Sequence, residues 1–168
     1  MRRNIQRWNR RALYLALTTS VATTLAVAAP SIASAKETTT AQCKVHTVLA
    51  SKTPAAERIP GRISFLKAEL EGDQFAAYKS FKLLSSVEFN LKNAAQVTRE
   101  AGGGHRVGLR LRGGSLERPK LHIEVAAAGK AKPLVSADYS VTSGAFLLLA
   151  GFRHPDGKLV FAIQCRSA

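Results

Sequence analysis

The chain has 168 residues, with 25 Lys and Arg against 11 Asp and Glu, and two cysteines. That length suits one ordinary domain with a real core, and so few cysteines exclude a small scaffold held mainly by disulfides. The formal net charge of +14 turns attention to anionic partners.

The first element is a leader. Arg2, Arg3, Arg7, Arg10 and Arg11 form a positive start without an acid, and an apolar run follows from Ala12 to Ala29. Pro30 breaks the run, and Ala33-Ser34-Ala35 supplies the small-x-small pattern that signal peptidase reads, so cleavage is expected between Ala35 and Lys36. The other reading is a retained anchor, but a run this short and this rich in Ala and Thr is a weak span. Asn9-Arg10-Arg11-Ala12-Leu13-Tyr14 resembles a twin-arginine signal, but arginine is common in any such start and the general secretory route is favoured. Removing the leader's five arginines leaves 20 cationic side chains against 11 acids, a net charge of +9 over residues 36–168. Cys43 and Cys165 lie near opposite ends of that chain and are expected to pair in an oxidising compartment.

Residues 36–41 are polar and expected to fray, which leaves 42–168 as one globular domain. Cys43, Val45, Thr47 and Leu49 alternate with Lys44, His46 and Val48 as in a strand. Behind Pro60, Ile63, Leu66 and Leu70 recur at helical spacing with Phe65 beside them, and Gly72 is a stop. That pattern predicts a helix of about three turns.

From Ala77 onward the period is two. AYKSFKLLS places Phe81 and Leu83 on one face; SVEFNLK places Val87, Phe89 and Leu91 inward, with a bulge or bend expected at Ser85-Ser86. QVTRE, HRVGLRLR, KLHIEV, PLVSADYSV, AFLLLAGF and KLVFAIQC follow, separated by Gly-rich and Pro-Asp-Gly turn signals. AFLLLAG does not alternate and is expected to be a central strand buried on both faces. The phase of Cys165 matches Leu159, Phe161 and Ile163, and that of Cys43 matches Val45 and Leu49. Both half-cystines therefore point to the core from neighbouring strands. The expected class is α+β: one N-terminal helix on a mostly antiparallel sheet of about seven or eight short strands, as a meander, sandwich or partly closed barrel.

The segments VHTVLAS (45–51), FAAYKSFKLLSSVEFNL (75–91) and SGAFLLLAGFRHPDGKLVFAI (143–163) together resemble small exported bacterial proteins of unassigned function. The resemblance covers about a third of the chain. It implies an exported bacterial domain and brings no catalytic residue with it.

Among candidate sites, GHRVGLRLRGGSLERPKLHIEV (104–125) stands first. Pairing 106–112 with 120–125 as a hairpin sets Arg112 near Lys120, Arg110 near His122 and Gly108 near Glu124. Arg106, Arg110, Arg112, Lys120 and His122 then share one face with one acid among them. Such a face grips phosphate, carboxylate or sulfate, or it is simply the solvated side of a strand. It has no aromatic to stack bases, which with export disfavours nucleic acid.

Ser64 and Lys67 match S-x-x-K, but no S-D-N or K-T-G element follows. His46, His105, His122 and His154 have no metal-ligand spacing. No cofactor, metal or catalytic residue is therefore expected. Gly102-Gly103-Gly104 precedes a strand rather than a helix and reads as a hairpin tip. The functional expectation is an exported, periplasmic or extracellular, non-enzymatic bacterial protein that binds or builds the envelope. Its expected partners are anionic polysaccharide or lipid head groups, or an envelope protein. The alternatives are a binder of anionic cell-surface polymer or lipid head groups through the basic β-hairpin, and a small serine hydrolase around Ser64 and Lys67.

Overall fold

The computed structural model describes residues 39–92 and 95–167. The expected leader and the Ala35–Lys36 junction lie outside the described residues. The protein is mostly β: eight antiparallel strands in two four-stranded sheets, with one short helical segment in mid-chain. In chain order the strands are β1 (Thr40–Ser51), β2 (Ser80–Lys92), β3 (Gln96–Gly102), β4 (His105–Gly114), β5 (Pro119–Ala127), β6 (Val135–Ser140), β7 (Phe146–His154) and β8 (Gly157–Ser167). The first sheet has the order β2-β1-β8-β7 and the second is the meander β3-β4-β5-β6. Of the arrangements expected, the sandwich is the one formed, and the described strands close no barrel.

The first and last strands are partners at the middle of the first sheet. Cys43 stands directly opposite Cys165, with Val45 opposite Ile163 and Leu49 opposite Leu159. The two cysteines form a disulfide across a sequence separation of 122 residues. Their alternation carries them into the main core with Val107, Leu109 and Leu111 of β4 and Leu121, Ile123 and Val125 of β5. β1 begins at Thr40, inside the segment expected to fray, and Ala41 is buried. The bridge suits an oxidising compartment, and no helix among the described residues is long and apolar enough to cross a membrane.

Of the four register shifts between paired strands, those of β1 with β2 and of β3 with β4 set which side chains meet at the boundary between the sheets. Thr47 faces Ser85 and Val48 faces Leu83, so Leu84 is the extra residue in β2. An extra residue reverses the side-chain phase. Phe81 and Leu83 therefore join the outer cluster, while Leu84, Val87, Phe89 and Leu91 join the main core. The sequence pattern predicted this disturbance one residue later, at Ser85-Ser86. In the second bulge Ala101 is the extra residue of β3 against β4. Its carbonyl accepts hydrogen bonds from the hydroxyls of Thr47 and Ser85. That satisfies three polar groups at the boundary between the sheets.

The helical segment corrects the α+β expectation. It is not N-terminal, for it lies between β1 and β2, and it is a 3-10 stretch (Gly61–Leu66) running into one α-turn, α1 (Lys67–Leu70). Ile63 breaks helical geometry at φ −122°, ψ 19°, and no side chain caps the start. Gly61, Ile63, Ser64 and Phe65 are poor helix formers, so packing rather than propensity shapes the segment. Ile63, Leu66 and Leu70 cover Val48, Ala50, Phe81, Val160 and Ala162 on the outer side of the first sheet. The AFLLLAG strand is also corrected. β7 packs Phe146 and Leu148 outward and Leu147 and Leu149 inward, but it is an edge strand. Its apolar run reflects two covered faces rather than a central place.

His46 belongs to the phase of β1 opposite that of Cys43 and Val45. It is buried, its ring centroid lies 4.6 Å from that of Phe65, and its Nδ1 is 2.7 Å from the Ser86 hydroxyl. Burial, and then the neighbouring Lys44 charge, lower its pKa from 6.5. A neutral buried imidazole contributes stability that is complete above its unfolded value and is lost as pH falls through its folded one. Thermal unfolding followed from about pH 7 down to about pH 5 should show a falling Tm that His46→Gln flattens. An unchanged slope in the variant would contradict the assignment.

The disulfide gives a second expectation. Closing so long a loop contributes at most ~4–5 kcal/mol in the chain-entropy picture. The double substitution Cys43→Ser, Cys165→Ser should lower Tm by roughly 10 °C or more. A shift within a few degrees would mean the β1–β8 pairing holds without the bridge.

Candidate functional site: the open face of the second sheet

The two sheets differ in how their outer sides are finished. The first sheet carries the helical cover. On the second, Val107, Leu109 and Leu111 of β4 and Leu121, Ile123 and Val125 of β5 turn inward. The alternate residues Arg106, Gly108, Arg110 and Arg112, with Lys120, His122, Glu124 and Ala126, make up the outer face. The structure thus places all five expected residues, Arg106, Arg110, Arg112, Lys120 and His122, on one face. The expected hairpin register also holds where it is regular: Arg110 stands opposite His122 and Gly108 opposite Glu124. Regular pairing stops at Leu111–Leu121 and resumes shifted at Gly114–Pro119, so Arg112 and Lys120 are not a ladder pair.

The outer strands supply what the hairpin alone does not show. One row across the sheet reads Gln96, Arg110, His122, Asp138; the next reads Thr98, Gly108, Glu124, Ser136. His122 Nδ1 lies 2.6 Å from Asp138 Oδ1, and its Nε2 lies 3.3 Å from both Glu124 Oε1 and the Ser136 hydroxyl. Gln96 donates from Nε2 to Glu124 Oε2 at 2.7 Å and accepts at Oε1 from Arg110 Nη2 at 3.3 Å. A chain of polar contacts therefore runs across all four strands. The Gln96 hydrogen bond is the main reason Glu124 titrates below its usual range, with His122 and Arg110 adding to it. The His122 hydrogen bond does the same for Asp138, helped by the charges of His122, Arg112 and Arg110.

Gly108 leaves room for this chain. A Cβ there would stand 2.9 Å from Gln96 Nε2 and 3.2 Å from the Thr98 hydroxyl. Beside it lies a hollow of about 120 Å³ between Thr98, Arg106, Glu124 and the Ala131–Pro133 turn. Arg106 donates from Nη2 to the Lys130 carbonyl at 2.9 Å, pinning that turn. The Nε atoms of Arg106 and Arg110 are buried and make no hydrogen bond within the protein. Arg112 and Lys120 are exposed, and among the described residues neither forms an ion pair.

The face is thus graded. Its centre is charge-compensated, and Arg112 and Lys120, exposed and without an ion pair among the described residues, sit where the ladder of β4 and β5 becomes irregular. The sequence reading counted one acid because it paired only β4 with β5. Asp138 on β6 and Glu100 on β3, which stands opposite Arg106, come from strands whose register no short-range pattern fixes. Elsewhere, Ser64 and Lys67 are both exposed, and the Lys67 ammonium lies 3.8 Å from Glu71 Oε1. Among the described residues no three His, Cys, Asp or Glu side chains are grouped to hold a metal ion.

The network predicts that His122→Asn raises the Asp138 carboxyl toward its ordinary value near 3.8, read by carboxyl NMR titration. Asp138 titrating identically in parent and variant would contradict the contact. Gly108→Val should separate Gln96 from Glu124 and raise the Glu124 value as well. Comparison of the chain with family models, curated proteins and solved structures gives no match.

Proposed function

We propose that this is an exported, non-enzymatic domain of the bacterial envelope that adheres to anionic cell-surface polymer through the open face of its second sheet. The observation that carries this reading is the state of the arginines. Arg106, Arg110 and Arg112 stand in a row on the outward side of β4, and the exposed Arg112 and Lys120 form no ion pair among the described residues. Guanidinium groups held in a row by a strand match phosphate, carboxylate or sulfate groups repeated along a polymer. The net charge of +9 over residues 36–168 draws such a partner from a distance. The leader and the disulfide support export, where polymers of this kind are met. The compensated centre favours a graded, salt-sensitive adhesion over a tight pocket.

The test is retention of the oxidised protein on envelope material across a salt series, with anionic polysaccharide and anionic-lipid vesicles as separate arms. Arg112→Ser with Lys120→Ser alters exposed side chains only, and Arg106→Ser, Arg110→Ser, Arg112→Ser removes the row. Affinity should fall about fivefold per cation removed, from ~1 kcal/mol each near an anionic surface. The salt dependence should become shallower with each loss. Retention unchanged in both variants would make the arginines the solvated side of a strand. Retention on vesicles alone would move the partner to lipid head groups.

A further inference from the structure

On the side where the second sheet ends in β6 and the first in β7, the sandwich is not sealed. Val135 and Tyr139 of β6 and Leu147 and Leu149 of β7 pack on the main core but stay only partly buried. At one end of this seam lies a cavity of about 470 Å³, lined by Ala127, Leu134, Val135, Ala150, Phe152 and Arg153. That volume falls in the range of roughly 300–1,000 Å³ common for small-molecule sites. Aromatic rings back it: Phe152 lies 5.0 Å from Phe161 and 5.9 Å from His105, centroid to centroid.

Three features make the seam more than a packing fault. Leu134 is 58 % exposed, the most of any large apolar side chain among the described residues. It is nevertheless held in place, because its N–H donates to the Val125 carbonyl at 2.7 Å. The wall of β7 is opened by a bulge at Gly151, where φ is +102° and an added Cβ would meet nothing within 4 Å. The charge at the mouth is of one sign. Arg153 is the one charged side chain among the residues that line the cavity, and no acid lines it. An apolar slot rimmed by polar groups marks a binding place, and this rim is cationic.

We infer that the slot takes the acyl chain of an anionic amphiphile. The chain lies against Leu134, Val135 and Phe152, and the head group meets Arg153. This site uses neither Arg110 nor Arg112, so it is independent of adhesion by the open face.

The probe is cis-parinaric acid, a fatty acid whose fluorescence rises in apolar surroundings, titrated into the oxidised protein. Saturable enhancement near one ligand per chain is expected. Leu134→Glu, and Ala150→Trp at an exposed position, should each weaken it by about tenfold or more. Arg110→Ser with Arg112→Ser should leave it unchanged, which separates this site from the open face. The methyl ester of the probe should bind more weakly than the acid. Thermal unfolding checks that each variant is folded; should one not fold, a series of fatty acids competing with the probe on the parent protein reads the slot instead, with affinity rising with chain length. No enhancement, parent-like binding in both slot variants, or no dependence on chain length would overturn the inference. Equal binding of acid and ester would remove the anionic head from it.

Discussion

The rest of the structure depends on one pairing, that of β1 with β8. The two ends of the domain form the middle of the first sheet, and Cys43 and Cys165 face each other across it. Without that pairing, the β1–β2 pair and the β7–β8 hairpin would not join into one sheet. The second sheet, a meander of local hairpins, would have no layer to close its core. Contacts between residues so far apart in sequence are entropically costly to form, and the disulfide offsets that cost by restricting the unfolded chain.

The division of labour between the sheets follows from it. The first sheet has neighbours on both faces, the second sheet on one side and the helical segment on the other. Its strands are accordingly apolar at consecutive positions, as in Leu159 to Ile163. The second sheet alternates strictly, Val107, Leu109 and Leu111 inward and Arg106, Arg110 and Arg112 outward, as a sheet with one solvated face does. Function is therefore sought on the second sheet and along the unsealed seam. The segments 45–51, 75–91 and 143–163 fall on the four strands of the first sheet and belong to the scaffold.

Much of this was legible in the sequence because alternation is a local signal. The succession of short antiparallel strands, the inward phase of both cysteines and the pairing of Arg110 with His122 all follow from period two and turn chemistry. What stayed hidden depends on contacts between distant segments. The extra residue Leu84 sends Phe81 and Phe89 to opposite faces although their spacing is even; Ser85-Ser86 signals a disturbance one residue away but not this reversal of face. Ile63, Leu66 and Leu70 have helical spacing, yet the segment is mostly 3-10 because three buried contacts, not helix propensity, hold it down. The apolar run of β7 reads as central because burial on two faces gives one sequence pattern at any position in a sheet. Asp138 and Gln96 join the arginine face only through the order β3-β4-β5-β6. A hairpin-level reading therefore overestimates the bare positive charge at its centre.

The most direct test of the proposed role is amide chemical-shift mapping of the oxidised protein with a sulfated oligosaccharide. The expected result is a set of salt-sensitive changes confined to the open face: Arg106, Arg110, Arg112 and Lys120, with His122 and Asp138 beside them. Changes gathered instead on the first sheet, for example around the polar hollow between Gln42, Lys44, Asn90 and Arg166, would contradict it and move the binding surface to the opposite layer.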